Sequence, residues 1–272
     1  MTTPNASETS SITIAASTYL NSAPLIWSFL YGPKQKQVKL VDAVPGQCAE
    51  LLRDAVVDVA LIPIIEYQRT QGISLVQDVC VGSKTEVRSV VLVSKESTLE
   101  KVRSVALDES SRTSATLVKI IFREFLKTEP LWSNAAPDLN QMLVDNDAAL
   151  IIGDPAMTFS RNGLRIWDMA ALWRRYTDFG FVFAMWAVRD AIIEKAKLIS
   201  FPAARDEGVS RIDEIVVNYL SRIPLSREEL TTYLTQNIVF NVDATMQRGM
   251  ELYFELAAKH RLIENIRPLV FV

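Results

Sequence analysis

A turn rich in uncharged polar side chains, residues 17–22, carries groups well suited to bind a small anion. It follows a short apolar run and precedes apolar residues at helical spacing, which predicts a strand, a turn and a helix start. The first N–H groups of a helix lack partners and lie at its positive dipole end, where Ser17, Tyr19 and Asn21 would add polar groups. The alternative is that Asn21 or Ser22 only caps the helix.

A second turn of the same kind, residues 108–114, separates a predicted strand from a predicted amphipathic helix. Its hydroxyl groups come from Ser111, Thr113 and Ser114, and Arg112 adds a guanidinium group that can bind a carboxylate through two parallel hydrogen bonds. This turn therefore predicts a second anion-binding position. The alternative is a capped helix with a solvated arginine.

Two further polar positions adjoin apolar strands. Asp154 follows the apolar run 148–152 and either faces a ligand or caps a helix that has Pro155 at its first position. Arg88 and Ser89 stand at the entry of another predicted strand, where they face either solvent or a cleft.

The sequence lacks the motifs of a nucleotide or metal site. Neither GxGxxG nor Walker A spacing occurs at any of these turns. The one histidine, His260, is expected to be an ordinary surface side chain, and Cys48 and Cys80 are expected to be buried, reduced thiols. We therefore expect a small anionic ligand, no metal, and no catalysis by imidazole.

Composition excludes further classes of protein. The chain has 272 residues, 49% of them hydrophobic, and a net charge of −3 with both signs mixed, so it can bury a core but has no basic stripe for nucleic acid. Residues 1–10 are polar and are expected to form a disordered tail, with no signal peptide or membrane span. We expect a cytoplasmic protein without a membrane partner; the sequence carries no indication of its oligomeric state.

Strands and helices alternate over the first 65 residues, and the alternation restarts after residue 94. The predicted class is α/β with two lobes: residues 11–93 and 182–272 form lobe 1, and residues 94–181 form lobe 2. The pattern from residue 190 to about 266 is helical. The polar turns at the strand ends would open toward a cleft between the lobes.

Several separated motifs resemble, in order and spacing, the chorismate dehydratases of the futalosine route to menaquinone. The resemblance extends over residues 11–190, and the helical tail beyond contributes little to it. The turn at 82–86 lacks the Asp-Gly-Pro often found in that family. The motifs are residues 19–25, 58–63 with Glu66 and Tyr67, 88–89, 111–114, 137–139, 148–154 and 181–187.

The resemblance implies a two-lobed fold like the type II periplasmic binding proteins, with the ligand cleft between the lobes. It implies loss of water from chorismate to give 3-[(1-carboxyvinyl)oxy]benzoate, without a metal or organic cofactor. Asn21 and Ser89 would lie at the reacting centre, and the loop 111–114 would hold a substrate carboxylate. Further substrate contacts are predicted for Ser17, Tyr19, Arg88, Ser111, Arg112, Thr113, Ser114 and Asp154.

Chorismate itself can supply the base for this reaction. Elimination of the C4 hydroxyl and the C3 proton creates a benzene ring, so the protein needs to orient groups and not to generate a strong nucleophile. We expect the enolpyruvyl carboxylate to take the proton. Two alternatives are a passive binding protein for an aromatic carboxylate, and the related dihydroxynaphthoate synthase, whose family has a catalytic histidine in the cleft, where His260 is not expected.

Overall fold

Ten strands form two five-stranded sheets in the computed structural model, which describes residues 12–161 and 163–272. The tail predicted for residues 1–10 lies outside the described residues. The strands are β1 (Ile12–Ala16), β2 (Val38–Asp42), β3 (Val59–Pro63), β4 (Ile73–Ser83), β5 (Val90–Ser94), β6 (Ser104–Asp108), β7 (Leu131–Ala135), β8 (Ala148–Ile152), β9 (Arg165–Asp168) and β10 (Phe181–Arg189).

The first sheet has the order β2-β1-β3-β10-β4. Strand β1 runs parallel to β2 and β3, whereas β10 is antiparallel to β3 and β4. All five residues of β3 are buried, as expected for an unbroken apolar run in the middle of a sheet. The second sheet has the order β7-β6-β8-β5-β9, with β6 parallel to β7 and β8 and with β5 antiparallel to β8 and β9.

Helices cover both sheets. The α-helices are α1 (Ala23–Leu30), α2 (Pro45–Arg53), α3 (Ile65–Arg69), α4 (Arg112–Ile120), α5 (Leu139–Asp145), α6 (Pro155–Thr158), α7 (Met169–Thr177), α8 (Ile193–Ala196), α9 (Phe201–Ser210), α10 (Ile212–Tyr219), α11 (Arg227–Thr232) and α12 (Ala244–Lys259). Short 3-10 turns lie at Leu20–Ser22, Leu99–Lys101 and Asp190–Ile192, and π-helical segments at Ile121–Leu126 and Tyr233–Asn237. Among the described residues, no helix combines the length and apolarity needed to cross a bilayer.

The sheets confirm the predicted α/β class but differ from the predicted lobe limits. Residues 90–93 were assigned to the first lobe, whereas β5 lies wholly in the second sheet. Phe181, assigned to the second lobe, pairs with Ser83 in the first sheet. An apolar strand looks the same in either sheet, so the sequence pattern alone does not reveal which partner it joins.

Local details differ from the sequence pattern. The helical spacing around Trp167 is misleading, because Trp167 lies in β9 and α7 begins only at Met169, where Asp168 caps it by accepting bonds from the first-turn N–H groups. The amphipathic helix predicted after the turn at 108–114 already begins at Arg112 and continues as a π-helical segment. The helical stretch beyond residue 190 is interrupted between α8 and α9, and Pro202 lies in the first turn of α9.

The predicted polar turns follow β1, β6 and β8, and the fold brings them together between the sheets. Residues 84–89 and 178–180 connect the two sheets. We call the first sheet with its helices the first lobe, and the second sheet with its helices the second lobe. Cys48 and Cys80 are buried free thiols, as predicted, and burial raises the pKa of Cys48 to about 12.

Candidate active site

A cavity of about 550 Å³, including its mouth, lies between the two lobes. The first lobe lines it with Ser17, Tyr19, Asn21 and Ser22, together with apolar side chains of β3, β4 and β10. The second lobe adds residues 110–114 and Gly153. The cavity therefore joins the three polar turns that the sequence predicted to face a cleft.

The turn before α4 presents an unused hydroxyl. Ser111 is 3% exposed and lines the cavity, and its Oγ has no hydrogen-bond partner among the described residues. It stands at the N-cap of α4 but makes no side-chain capping bond. Asp108 braces the turn instead, because its Oδ1 accepts from Ser110 N at 2.9 Å and Ser110 Oγ at 2.6 Å. The start of α4 thus presents an unpartnered Ser111 hydroxyl at the cavity.

Arg112 lines the cavity but its guanidinium group is already paired with the first lobe. Nη1 lies 2.9 Å from Glu66 Oε2, and Nη2 donates to Glu50. The Glu66 side chain is 3% exposed, so this is a largely buried ion pair. This geometry favours a role for Arg112 in linking the two lobes over the predicted role of binding a substrate carboxylate. Thr113 makes a second contact between the lobes, since its Oγ1 accepts a hydrogen bond from Ile65 N at 3.3 Å.

The turn that carries Asn21 is held from outside. Leu20 N donates to Asp154 Oδ1 of the second lobe at 3.0 Å, and Tyr219 Oη of α10 donates to Thr18 O at 2.7 Å. Ser22 is the N-cap of α1 but makes no side-chain capping bond. The alternative in which Asn21 or Ser22 only caps the helix therefore does not describe this turn, and Asn21 lines the cavity.

Asp154 binds the Asn21 turn and does not line the cavity. It occupies the N-cap of α6, with Pro155 in the first turn, but its side chain makes no bond within that helix. Burial raises the pKa of Asp154 to about 6, although the bond from Leu20 N–H lowers it. The neighbouring Gly153, at φ +69°, lets Tyr19 pack closely, since a Cβ there would lie 2.8 Å from the Tyr19 ring.

Arg88 and Ser89 lie in the connection between the sheets, just outside the lining of the cavity. Arg88 has φ +61°, and its guanidinium group pairs with Glu229 at 2.8 Å, so it points away from the predicted substrate. The Asp168 carboxylate fixes this backbone by accepting from Arg88 N at 2.6 Å. Ser89 is fully buried, and its backbone oxygen accepts from Gly153 N at 2.8 Å.

Tyr233, which no sequence pattern singled out, contacts the Ser89 side chain. It opens the π-helical segment after α11, and its Oη donates to Ser89 Oγ at 2.6 Å. Burial raises the pKa of Tyr233, whereas the hydrogen bond to Ser89 lowers it. A buried π-helical turn is a feature often found at functional sites, but its sequence resembles any other helix.

His260 is far from the cavity lining. It follows α12, and its Nε2 lies 2.8 Å from Glu124 Oε2. Its side chain is 16% exposed, so it is a partly buried partner of a carboxylate and not the free surface residue that was predicted. Within the part of the chain that the structure describes, no group of three His, Cys, Asp or Glu side chains could hold a metal ion.

A family model described as menaquinone biosynthesis matches residues 12–259. The chain belongs to this family. The match includes α9 to α12, so the tail beyond residue 190, which contributed little to the resemblance seen in the sequence, is part of the family's shared chain.

The chain is 28% identical over 256 residues to the chorismate dehydratase of Thermus thermophilus, covering 87% of this chain and 92% of that protein. Solved structures agree on the fold. A structural-genomics protein from Archaeoglobus fulgidus matches with a TM-score of 0.77 at 18% identity, over 94% of this chain and 100% of that one. The periplasmic aliphatic sulphonate binding protein of Escherichia coli matches with a TM-score of 0.63 at 16% identity, over 96% and 93%. The predicted two-lobed fold of periplasmic binding proteins is confirmed.

Proposed function

We propose that this protein removes water from chorismate to give 3-[(1-carboxyvinyl)oxy]benzoate in menaquinone biosynthesis. The observation that carries the proposal is the match to the menaquinone biosynthesis family over residues 12–259, together with a relative named chorismate dehydratase. The cavity supports it, because uncharged polar groups and a helix start surround a space suited to a small anion.

Chorismate has two carboxylates, and the α4 turn is the natural position for one of them. Ser111 offers an unpartnered hydroxyl, and the first turn of α4 offers backbone N–H groups. Thr113 and Ser114 also line the cavity there. The Arg112 guanidinium group already pairs with Glu50 and Glu66, so its role is to hold the lobes together around the substrate.

The elimination itself needs orientation more than acid or base strength. The enolpyruvyl carboxylate of the substrate takes the C3 proton, and the C3–H electron pair forms the C3–C4 double bond that completes the aromatic ring. The C4–O electron pair leaves with the oxygen, which departs as water once it takes up the proton held by the carboxylic acid. Asn21 and Ser89 hydrogen-bond this carboxylate and the departing hydroxyl. Contacts across the cleft, such as Leu20 to Asp154, hold the two lobes together beside the cavity.

The alternatives are less well supported. The only histidine of the chain, His260, is bound to Glu124 and does not line the cavity, which disfavours a synthase that needs an imidazole there. A passive binding protein would have the same fold, but the family is biosynthetic. We place the protein in the cytoplasm, because its substrate is a biosynthetic intermediate and not an imported solute.

Incubation of the purified protein with chorismate tests the proposal. Chromatography with mass detection should reveal an aromatic product lighter by one water that retains the enolpyruvyl group, and a sample without protein controls for spontaneous breakdown. Unchanged chorismate that nevertheless raises the melting temperature would instead indicate the passive binding protein. An absence of both conversion and binding would contradict the assignment of the ligand.

A further inference from the structure

We propose that Tyr233 is a positioning residue that turns the Ser89 hydroxyl into a hydrogen-bond donor for the substrate. This inference rests on the proposed function and adds to it a residue from the C-terminal helices. The sequence resemblance ended before these helices.

The first step is the direction of the bond between the two hydroxyls. Tyr233 and Ser89 are both 0% exposed, and Tyr233 Oη lies 2.6 Å from Ser89 Oγ. A phenol is a stronger acid than an alcohol, so the phenol is the better donor and the serine oxygen the better acceptor. Once Ser89 accepts this bond, its own proton remains for another acceptor.

The second step is that the rest of Ser89 cannot turn. Its N–H donates to Val87 O at 2.7 Å, and its carbonyl accepts from Gly153 N at 2.8 Å. The next residue, Val90, and Gly153 both line the cavity. With the backbone fixed and one side of the hydroxyl occupied by Tyr233, the serine proton remains available to another acceptor. Ser89 lies just outside the cavity lining, next to the lining residues Val90 and Gly153, and we assign the leaving hydroxyl or the enolpyruvyl carboxylate as that acceptor.

The third step is that the phenol stays protonated. Burial raises the pKa of Tyr233 well above its usual value, while the hydrogen bond to Ser89 lowers it. The phenol therefore acts as a fixed donor to Ser89 and not as an acid or base in the neutral range.

An ion pair close to Tyr233 in the chain fixes the helix that carries it. Glu229, one turn earlier on α11, pairs with Arg88 at 2.8 Å. Arg88 and Ser89, two adjacent residues of the connection between the sheets, therefore contact the same helical stretch through Glu229 and Tyr233. This arrangement gives Arg88 a role that its sequence position did not suggest: it anchors the helix that carries Tyr233.

The test is Tyr233→Phe, which removes the hydroxyl and keeps the ring. We expect kcat for chorismate to fall about 10- to 100-fold with KM changed less than about twofold, because an interaction that matters in the transition state is lost. Tyr67→Phe is the matched control. Tyr67 is equally buried, but its hydroxyl bonds Pro268 O and Val270 N, away from the cavity, so this variant should keep wild-type kcat.

A double-mutant cycle separates positioning from general packing. In a Ser89→Ala background, Tyr233→Phe should cause no further loss of kcat, since the hydroxyl that it orients is already absent. Wild-type kcat in Tyr233→Phe, or an equal further loss in the Ser89→Ala background, would overturn the inference.

A second variant covers the case in which Tyr233→Phe folds poorly. Replacement of Tyr233 by 4-aminophenylalanine restores a donor at the same position and should recover part of the lost kcat in a folded protein. A folded variant of this kind with no more activity than Tyr233→Phe would count against the inference. Wild-type protein that leaves chorismate unchanged would overturn the proposed function and this inference with it, whereas active wild type with fully active Tyr233→Phe overturns this inference alone.

Discussion

The turns after β1 and β6 have similar sequences but are held in different ways. Each follows a buried strand, is rich in hydroxyl groups and leads into a helix that lacks a side-chain cap. The turn after β6 is braced by its own strand, because Asp108 accepts both bonds from Ser110. The turn after β1 is braced at Thr18 by Asp42 of the neighbouring strand β2 and, from farther along the chain, by Asp154 of the second lobe and Tyr219 of α10.

This difference in bracing predicts that the α4 turn serves substrate binding and that the Asn21 turn serves the reaction. The brace from Asp108 to Ser110 lies within the second lobe and persists whether or not the lobes approach each other, which suits the α4 turn to bind a carboxylate first. The bond from Leu20 to Asp154 crosses the cleft, so we expect lobe closure to adjust the position of Asn21. Variants in the two turns should therefore affect different kinetic parameters, and this expectation can be tested.

The largest effect is expected from Asn21→Ala. Removal of one preorganised donor at a reacting centre costs about 10²- to 10³-fold in kcat, and we expect a loss in this range with a smaller change in KM. Steady-state turnover of chorismate measures it. Asn140→Ala, at an exposed position of α5, is the matched control and should behave as wild type. An Asn21→Ala protein with normal turnover would remove Asn21 from the mechanism.

A smaller effect of the opposite kind is expected from Ser111→Ala. Loss of one hydrogen bond to a carboxylate should raise KM about tenfold with kcat little changed, because the bond is made equally in the ground state and the transition state. Ser133→Ala, on the exposed strand β7, serves as the control. If Ser111→Ala lowered kcat and left KM unchanged, the proposed division of roles between the two turns would be wrong.

The elements that form the two turns could be predicted because they depend on local patterns. The apolar run of β3 is buried throughout, and the polar residues after β1, β6 and β8 fall at strand ends, where an α/β sheet places its ligands. These patterns left two positions open for Asn21, in the cavity or at the cap of α1, and the fold shows that it lines the cavity.

The braces could not be predicted, because they join residues far apart in the chain. Leu20 and Asp154 are 134 positions apart, and Ser89 and Tyr233 are 144 positions apart. No period or spacing in the sequence encodes such a contact. Arg88 shows the same limit: its polarity suggested a cleft or solvent, whereas its partner Glu229 is on a helix whose docking only the fold reveals.

The smallest effect is expected from Asp154→Asn, which tests the brace across the cleft through its dependence on pH. Burial raises the pKa of Asp154 to about 6 from a usual value of 3.8, so the folded protein binds a proton more tightly than the unfolded chain. Wild-type stability should therefore fall as pH rises from 3.8 to 6, by at most about 1.4 kcal/mol per pH unit, and this contribution should level off above pH 6.

Asparagine does not titrate, so Asp154→Asn should lose this part of the slope in urea unfolding between those pH values. The amide oxygen still accepts from Leu20 N–H, but more weakly than a carboxylate, and kcat at neutral pH should fall about threefold. Asp138→Asn, at the exposed N-cap of α5, removes a carboxylate from the same lobe without touching the cleft and should leave both kcat and the pH dependence unchanged. An Asp154→Asn protein with the wild-type slope would mean that this carboxylate does not sense the closed lobes, and the Asn21 turn would then be held by its contacts with Asp42 and Tyr219.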